Sequence, residues 1–375
     1  MAATATPASA PGQCGRRGIL PAHAIRWLIE NAHLTAAAPI ELHQVQPASL
    51  DLRLGRRAWR VRASFLPGPN ATVAERLQDL ALHEMSLQGG AVLETGCVYI
   101  VELMERLALP AEVSAAANPK SSTGRIDVFT RVITEGGTAF DRIPAGYEGP
   151  LYAEVSPRTF PILARPGSRL SQIRFRHGDV RPDDEATRAL HARDPLVVGA
   201  EPNIENGVAL TVDLSGGDIS QPIGYRARRH AGLIDVDTAH QYDPRKFWEP
   251  ITERGALILD PGEFYILASR EAVRVPPDHA AEMVPFDPFV GEFRVHYAGF
   301  FDPGFGHRAG GGEGSRAVLE VRAHEVPFTL EDGQTIGRLL YEPLCEAPDV
   351  VYGEGIGSHY QRQGLNLSRH FKPFE

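Results

Sequence analysis

The stretch "LETGCVYIVELMERLALPAEVSA" (93–115) returns in altered form as "LDPGEFYILASREAVRVPPDHAA" (259–281). In this alignment Gly96 pairs with Gly262, 166 residues further on. The same offset separates five more pairs of identical residues: Tyr99 and Tyr265, Pro110 and Pro276, Glu154 and Glu320, Pro161 and Pro327, Gly167 and Gly333. A long repeat at one offset is the signature of a duplicated structural unit. The sequence therefore predicts two tandem copies of one design.

Both copies are composed mainly of segments that favour β-strands. The segments are rich in aromatic and β-branched residues, with Pro, Gly or Asp at their ends: "AWRVRASF", "CVYIVEL", "LYAEVS" and "LSQIRF", then "FYILAS", "FRVHYAGF", "RAVLEVRA" and "IGRLLY". The 30 prolines and 37 glycines of the 375 residues also divide the chain into short elements. We therefore expect a mainly β fold of sandwich or barrel type.

Each copy is expected to begin with one short helix. The stretch "PAHAIRWLIENAHL" (21–34) has an early proline and an apolar stripe, and "DDEATRALHARDPL" (183–196) begins with acidic residues that can cap a helix. The second helix marks the start of the second copy, near residue 180. The predicted organisation is a disordered leader, a first domain, a second domain and a C-terminal tail: 1–18, 19–180, 181–345 and 346–375.

Composition excludes several classes of function. A net charge of -9 argues against nonspecific binding to nucleic acid, which requires an excess of basic side chains. The three cysteines lack C-x-x-C spacing, which argues against a disulfide framework or structural zinc and favours a reducing cytoplasm. No segment approaches the ~20 apolar residues that a membrane-spanning helix needs. We expect a cytoplasmic protein that does not bind membranes.

A series of motifs resembles a known family. A helix is followed by "SLDLRLG", a G-x-x-Y strand, "SSTGR", "RIPAGYEGPLYAEV" and "RPGSRLSQIRF". This order is similar to that of the dCTP deaminases of the dUTPase-like superfamily. The resemblance implies distorted jelly-roll (β-clip) domains, oligomeric assembly, and active sites between neighbouring copies. A tandem form would place both sides of one such interface on a single chain.

The resemblance also implies a catalytic glutamate with a neighbouring arginine. Glu154 and Arg142 occupy those positions in the first copy, and Glu320 occupies the glutamate position in the second. A positioned carboxylate can take a proton from water and return protons to the cytosine ring and the leaving ammonia. The H-x-E and P-C-x-x-C signature of zinc deaminases is absent from the sequence, so the expected chemistry is zinc-independent. Which glutamate acts is left open.

A second motif predicts where the triphosphate binds. As a plain sequence, "KSSTGR" favours a turn, but its position in the motif order implies a triphosphate corner. The implied residues are Lys120, Ser121, Ser122 and Arg125, together with His359, Tyr360 and Gln363 of the tail motif "SHYQRQG". Hydroxyl groups and a guanidinium suit phosphate oxygens. Mg²⁺ is expected only as the partner of the triphosphate.

The corner is missing from the second copy. The positions at the same offset as Ser121, Ser122 and Arg125 are Asp287, Pro288 and Gly291, which cannot bind phosphate in this way. The recognisable tail, in contrast, follows the second copy. We therefore hypothesise that the corner of the first copy faces Glu320 and the tail of the second.

The function that the resemblance implies is hydrolytic deamination of dCTP to dUTP and ammonia, which feeds thymidylate synthesis. Two alternatives remain open. A dUTP diphosphatase, or an enzyme with both activities, would use an aspartate to orient the attacking water, and Asp302 is the candidate. A non-catalytic nucleotide-binding regulatory protein would keep the fold without turnover.

Overall fold

The computed structural model describes residues 16–180, 183–217, 219–285, 293–296, 299–323, 325–353 and 364–374. We call residues 16–180 the first half, residues 183–345 the second half and residues 364–374 the tail segment. Within the described ranges the chain is mainly β, which confirms that part of the predicted fold class. The same ranges contain no helix that is both long and apolar enough to cross a membrane.

The first half contains thirteen strands, β1 to β13. In chain order they are Gly18–Ile19, Leu34–Ala36, Leu50–Leu52, Leu54–Val61, Ala81–Ser86, Ala91–Leu93, Val98–Ala108, Val113–Pro119, Val128–Thr134, Arg142–Ile143, Glu148–Pro157, Ile162–Ala164 and Ser171–His177. One sheet has the order β1-β13-β8-β10, with β3 also paired to β13. A second sheet has the order β5-β4-β7-β11-β9, with β2 also paired to β7, and β6 pairs with β12 in a third.

The described part of the second half contains strands β14 to β25. They are Val208–Thr211, Gly224–Ala227, Ile234–Asp235, Trp248–Ile251, Ala256–Leu259, Tyr265–Val273, His279–Pro285, Phe293–His296, Phe300–Phe301, Ser315–Ala323, Phe328–Glu331 and Thr335–Pro343. They form sheets of order β14-β25-β20-β22 and β17-β15-β19-β23-β21, and a pair of β18 with β24.

Strand pairings of the first half recur in the second. The run β5-β4-β7-β11-β9 corresponds to β17-β15-β19-β23-β21, and β13-β8-β10 corresponds to β25-β20-β22. Glu154 on β11 lies opposite Ile100 on β7, and Glu320 on β23 lies opposite Ile266 on β19. The two glutamates therefore occupy the same place in two sheets of the same order.

The helices lie at both predicted places, with shorter bounds. They are α1 (Ala22–Glu30), α2 (Val73–Leu80), the single turn α3 (Ser121–Gly124) and α4 (Asp184–Arg193). Helix α1 ends early because Ala32 has a left-handed backbone (φ 58) and β2 follows at once. Helix α4 begins at its acidic cap, where the Asp183 carboxylate accepts a hydrogen bond from the Ala186 N–H at 2.6 Å.

The prediction of one helix per copy was incomplete, because α2 was missed. Thr72 and Glu75 form a reciprocal capping box at its start. The buried side chains of Val73 and Leu77 pack on an apolar cluster that includes Trp59. The T-x-x-E spacing ahead of apolar residues at helical spacing was a usable signal for this helix.

One hydrophobic core cluster crosses the boundary between the halves, and the second half also has a cluster of its own. Strand β12 of the first half pairs in parallel with β16 of the second. Trp248 is fully buried, with its ring centroid 5.5 Å from Phe160 of the first half, 6.0 Å from Phe264 and 5.9 Å from Phe371 of the tail segment. Apolar contact across the boundary therefore joins both halves and the tail segment.

Ion pairs also cross between the halves. Arg176 donates to Glu342 at 2.5 Å, and Arg165 binds Asp235 through two nitrogens at 2.7 and 2.8 Å. Arg174 is almost fully buried and donates to the Ala281 carbonyl at 2.9 Å. Buried charges need such partners, so these contacts depend on one relative placement of the halves.

Candidate active site

The "KSSTGR" stretch forms one turn of helix rather than an open turn. Lys120 stands before α3, and its carbonyl accepts hydrogen bonds from the N–H groups of Thr123 and Gly124 at 2.8 and 3.0 Å. The Arg125 N–H donates to the Ser121 carbonyl at 3.0 Å. This turn directs Arg125 into the interior, where it is only 3% exposed. The local backbone therefore buries the guanidinium while Lys120 and Ser121 stay half-buried.

Arg125 of the first half lies against Glu320 of the second. Its Nε atom is 4.0 Å from Glu320 Oε1, and both side chains are buried. Burial raises the pKa of the Glu320 carboxyl to about 8, and the nearby Arg125 guanidinium acts in the opposite direction. A buried carboxyl group with a raised pKa beside one cation is a common arrangement for acid–base chemistry.

The tail segment covers the same corner. Arg125 Nη1 donates to the Asn366 carbonyl at 3.2 Å, and the Ser368 hydroxyl donates to the Ser122 carbonyl at 2.8 Å. The buried His370 ring contacts Ser368 Oγ at 2.9 Å and the Val236 carbonyl at 3.1 Å. The end of the chain thus links the corner to the second half.

Two aspartates lie near the corner, and each is paired with a cation. Lys120 Nζ contacts the Asp51 carboxylate, and Arg169 Nη1 lies 3.5 Å from its other oxygen. Asp302 of the second half accepts from Arg174 Nη2 at 3.3 Å. Burial raises the pKa of Asp302, and Arg174 opposes that shift. Lys120 and Asp302 therefore lie within one polar region around the half–half boundary.

Glu154 has different surroundings. It is 1% exposed, and Arg131 of the neighbouring strand donates to its Oε1 at 2.5 and 3.1 Å. The Arg131 guanidinium stacks 3.5 Å from the centre of the Phe140 ring. Arg131 comes from the same half as Glu154. The glutamate therefore has a local partner, whereas Glu320 meets an arginine from the other half.

The motif named Arg142 as the arginine that neighbours Glu154, whereas the arginine that contacts Glu154 in the structure is Arg131. Arg142 lies on β10, which pairs with β8, and its side chain is exposed. In the register of β9 and β11, Arg131 lies directly opposite Glu154. Cross-strand neighbours are close enough for direct contact, so β9 supplies the guanidinium that sequence order assigned to β10.

Different structures cover the equivalent sheet faces of the two glutamates. On the Glu154 face, the cluster that contains Ile100 and Trp59 is covered by α2. On the Glu320 face, Ile266 and Tyr225 belong to the core shared with the first half, and Phe374 of the tail segment stacks on Tyr225 at 5.2 Å. The first half thus closes its own glutamate face with an added helix.

Several predicted site residues cannot be placed. His359, Tyr360 and Gln363 of the tail motif, and Asp287, Pro288 and Gly291 of the missing corner, lie outside the described residues. Among the residues that are described, no group of three or more His, Cys, Asp or Glu side chains could hold a metal ion. Cys97 and Cys345 are present as free thiols.

Fold and site define an all-β protein in which a buried carboxyl group of one half meets a guanidinium and a serine-containing corner of the other. Comparison with known proteins agrees with the motif order. Residues 16–179 match the family model described as "2'-deoxycytidine 5'-triphosphate deaminase (DCD) N-terminal domain", and residues 183–371 match the model of its C-terminal domain. The chain therefore belongs to the dCTP deaminase family.

Individual relatives show how far the similarity extends. A dCTP deaminase of Halorubrum lacusprofundi is 31% identical over 134 residues, 35% of this chain and 63% of that protein. A dUMP-forming dCTP deaminase of Bifidobacterium longum is 33% identical over 162 residues, 40% of this chain and 80% of that protein. The chain thus spans less than two thirds of the length of the first relative.

A solved structure matches over most of the chain. The crystal structure of 2'-deoxycytidine 5'-triphosphate deaminase from Agrobacterium tumefaciens has a TM-score of 0.84 and 61% sequence identity. The match covers 88% of this chain and 99% of that one. The similarity therefore includes both halves rather than a single repeat.

Proposed function

We propose that this chain is a dCTP deaminase that converts dCTP and water to dUTP and ammonia. The observation that carries the proposal is the contact between Arg125 and Glu320. It joins the predicted triphosphate corner of the first half to the predicted glutamate of the second. A site assembled in this way has a base, a cation and phosphate-binding groups within one boundary region.

In the proposed reaction, the Glu320 carboxylate removes a proton from water, and the water oxygen forms a bond to C4 of the cytosine ring. The C4–N bond to the amino group then breaks. One water proton reaches N3 and the other leaves with ammonia, and Glu320 carries both transfers. Arg125 favours the ionised carboxyl group and holds it in position.

The triphosphate is proposed to bind at the corner of Lys120, Ser121, Ser122 and Arg125. Its negative charge suits the two basic side chains, and the hydroxyl groups can donate to phosphate oxygens. The tail motif with His359, Tyr360 and Gln363 is proposed to close over the nucleotide. Mg²⁺ is proposed to enter with the triphosphate, because Asp51 and Asp302 are each already paired with a cation.

One active site per chain is the arrangement that we propose. Glu154 is bound by Arg131 and lies under the α2 cluster, and Arg142 points to solvent. We therefore assign a catalytic role to neither residue. The shared strand order supports an origin by tandem duplication of a distorted jelly-roll domain. Assembly of several chains and a cytoplasmic location are proposed from the family alone.

A second candidate activity is the further hydrolysis of dUTP to dUMP and pyrophosphate. The dUMP-forming relative from Bifidobacterium longum favours testing it. Asp302 would orient the attacking water at phosphorus. Its contact with Arg174 argues against this role, because the Asp302 carboxylate already has a cationic partner in the structure.

Product analysis separates these activities. We expect purified protein with dCTP and Mg²⁺ to release ammonia and dUTP in equal amounts, with neither dUMP nor pyrophosphate. Equal amounts of dUMP, pyrophosphate and ammonia would instead establish the second activity. Tight binding of dCTP without ammonia release would contradict the proposal and favour a regulatory protein.

The raised pKa of Glu320 predicts the pH dependence of the reaction. The base must be ionised, so kcat/KM for dCTP should rise about tenfold per pH unit below a midpoint near 8 and level off above it. The profile is measured by ammonia release between pH 5.5 and 9.5. A profile that is already level across this range, as an ordinary glutamate pKa of about 4.3 would give, would contradict a buried base.

A further inference from the structure

A second ion pair crosses between the halves beside the Arg125–Glu320 contact. Asp127 lies two residues after Arg125, and Arg322 lies two residues after Glu320 on β23. Arg322 Nη2 contacts the Asp127 carboxylate. The first half supplies the cation of one contact and the anion of the other, and the second half supplies their partners. We name this second contact the reciprocal pair.

We propose that the reciprocal pair is a positioning device for the deamination, which fixes Glu320 beside Arg125 and balances the charge around its carboxyl group. This inference rests on the proposed function of Glu320. Neither Asp127 nor Arg322 was predicted from the sequence. Both are assigned here as positioning residues, because their contacts with Glu320 and Arg125 are indirect.

The geometry supports this role because the reciprocal pair is anchored on both sides. The Thr159 hydroxyl donates to Asp127 Oδ2 at 2.5 Å, and Arg322 Nη2 donates to Thr159 Oγ1 at 3.0 Å. Arg322 Nη1 donates to the Gly262 carbonyl at 2.5 Å. Multiple bonds to one planar guanidinium restrict its orientation. These contacts therefore hold β23 against the first half at a point two residues from Glu320.

The backbone at Asp127 also directs the side chain. Asp127 has a left-handed conformation (φ 55), which aspartate and asparagine tolerate better than most residues. Its carbonyl accepts a hydrogen bond from the Arg158 N–H at 2.9 Å. The turn after Arg125 thus places a buried carboxylate, 1% exposed, under β23. Substitution by asparagine keeps this conformation and removes only the charge.

The charges act on Glu320 in opposite directions. The Asp127 carboxylate contributes to raising the pKa of Glu320, whereas Arg125 lowers it. Arg322 neutralises Asp127, so it limits how strongly Asp127 repels the ionised form of Glu320. Removing one member of the reciprocal pair should therefore shift the Glu320 titration one way, and removing the other should shift it the other way.

The reciprocal pair is specific to Glu320. Ser156 stands at the position equivalent to Arg322, 166 residues earlier. In the strand register Phe293 pairs with Ala323 as Val128 pairs with Pro157, so the equivalent of Asp127 is Glu292, which lies outside the described residues. The corresponding place beside Glu154 therefore lacks the arginine.

The test uses the full-length protein, two single variants of the reciprocal pair, their double variant and one spectral blank. Infrared spectroscopy with isotope-labelled glutamate follows protonation of Glu320, with Glu320→Gln as the spectral blank, and ammonia release gives the pH profile of kcat/KM. Asp127→Asn should lower both midpoints by about 0.5 to 1 pH unit, and Arg322→Met should raise both by a similar amount. The double variant should return close to the unmodified midpoint.

Two controls isolate the effect. Arg322→Lys retains the charge and should retain the midpoint. Arg165→Met removes another arginine–aspartate pair between the halves, that of Arg165 with Asp235, and should leave the Glu320 titration unchanged. If Arg322→Met does not fold, the infrared shift caused by Asp127→Asn still tests the positioning role. The inference is overturned if Asp127→Asn leaves the infrared midpoint unchanged, or if the two single variants shift it in the same direction.

Failure of the proposed function gives a different result. In that case Glu320→Gln would keep full ammonia release, or neither the unmodified protein nor any variant would release ammonia. The infrared midpoints of Asp127→Asn and Arg322→Met would still move in opposite directions. Unchanged infrared midpoints together with loss of activity in Glu320→Gln would remove the positioning role and leave the catalytic role of Glu320 in place.

Discussion

Glu320→Gln is expected to reduce dCTP turnover by about 10²- to 10⁴-fold, because glutamine has nearly the same shape but cannot accept the proton of water. The variant should bind dCTP with little change, since the amide still fits beside Arg125. The loss should therefore appear in kcat rather than in KM. Steady-state ammonia release and equilibrium binding of dCTP measure the two effects separately.

The matched control is Glu154→Gln, because the two glutamates occupy equivalent register positions. We expect this variant to keep its turnover. It should lose stability, by about 1–3 kcal/mol in the free energy of unfolding, because Arg131 would lose its anionic partner. Full turnover in Glu320→Gln, or a loss confined to Glu154→Gln, would reverse the assignment of the catalytic half.

Trp248→Ala is expected to have the largest effect on stability, about 3–5 kcal/mol in the free energy of unfolding. Trp248 is fully buried and contacts aromatic rings of the first half, the second half and the tail segment. Its removal leaves a cavity that cannot close without shifting all three. Urea unfolding followed by circular dichroism measures the difference.

Two comparisons test the cause of that loss. Trp248→Phe retains a ring and removes an indole N–H that has no hydrogen-bond partner among the described residues, so it should cost much less than alanine. Leu42→Ala, at a side chain that is 82% exposed, should change stability by less than about 0.5 kcal/mol. Equal losses for Trp248→Ala and Leu42→Ala would show that the halves do not depend on this core.

The sequence predicted most of the strands because their signals are local. Aromatic and β-branched residues between Pro, Gly or Asp boundaries marked β7, β11, β13 and their counterparts, and the repeat placed them in order. Their ends were less accurate: β4 stops at Val61 rather than continuing to Phe65, and β7 extends to Ala108. Strand ends depend on the partner strand, which a local pattern does not contain.

A contiguous motif indicated the corner, whereas the contacts with partners from elsewhere in the chain were not indicated by any local pattern. The corner with Ser122 and Arg125 was located by its motif, and the structure brings it to Glu320. Arg131, Asp127 and Arg322 were not anticipated, and the arginine that contacts Glu154 is Arg131 rather than the Arg142 named from the motif. Each of these contacts depends on the register between strands or on the packing of the halves.

The sequence by itself determined the repeated strand order, the chemical groups available at the corner, and the two glutamates at equivalent positions. These features follow from residue type and spacing along the chain. The motif order only suggested that Arg125 faces Glu320, and the tertiary structure brings the two together. The Arg322–Asp127 contact beside them likewise joins residues 195 positions apart, which no local pattern can specify. Such contacts form because α2 covers the sheet face of Glu154 and leaves the sheet face of Glu320 to pack against the other half. Apolar packing over the whole core decides which face is covered in which way.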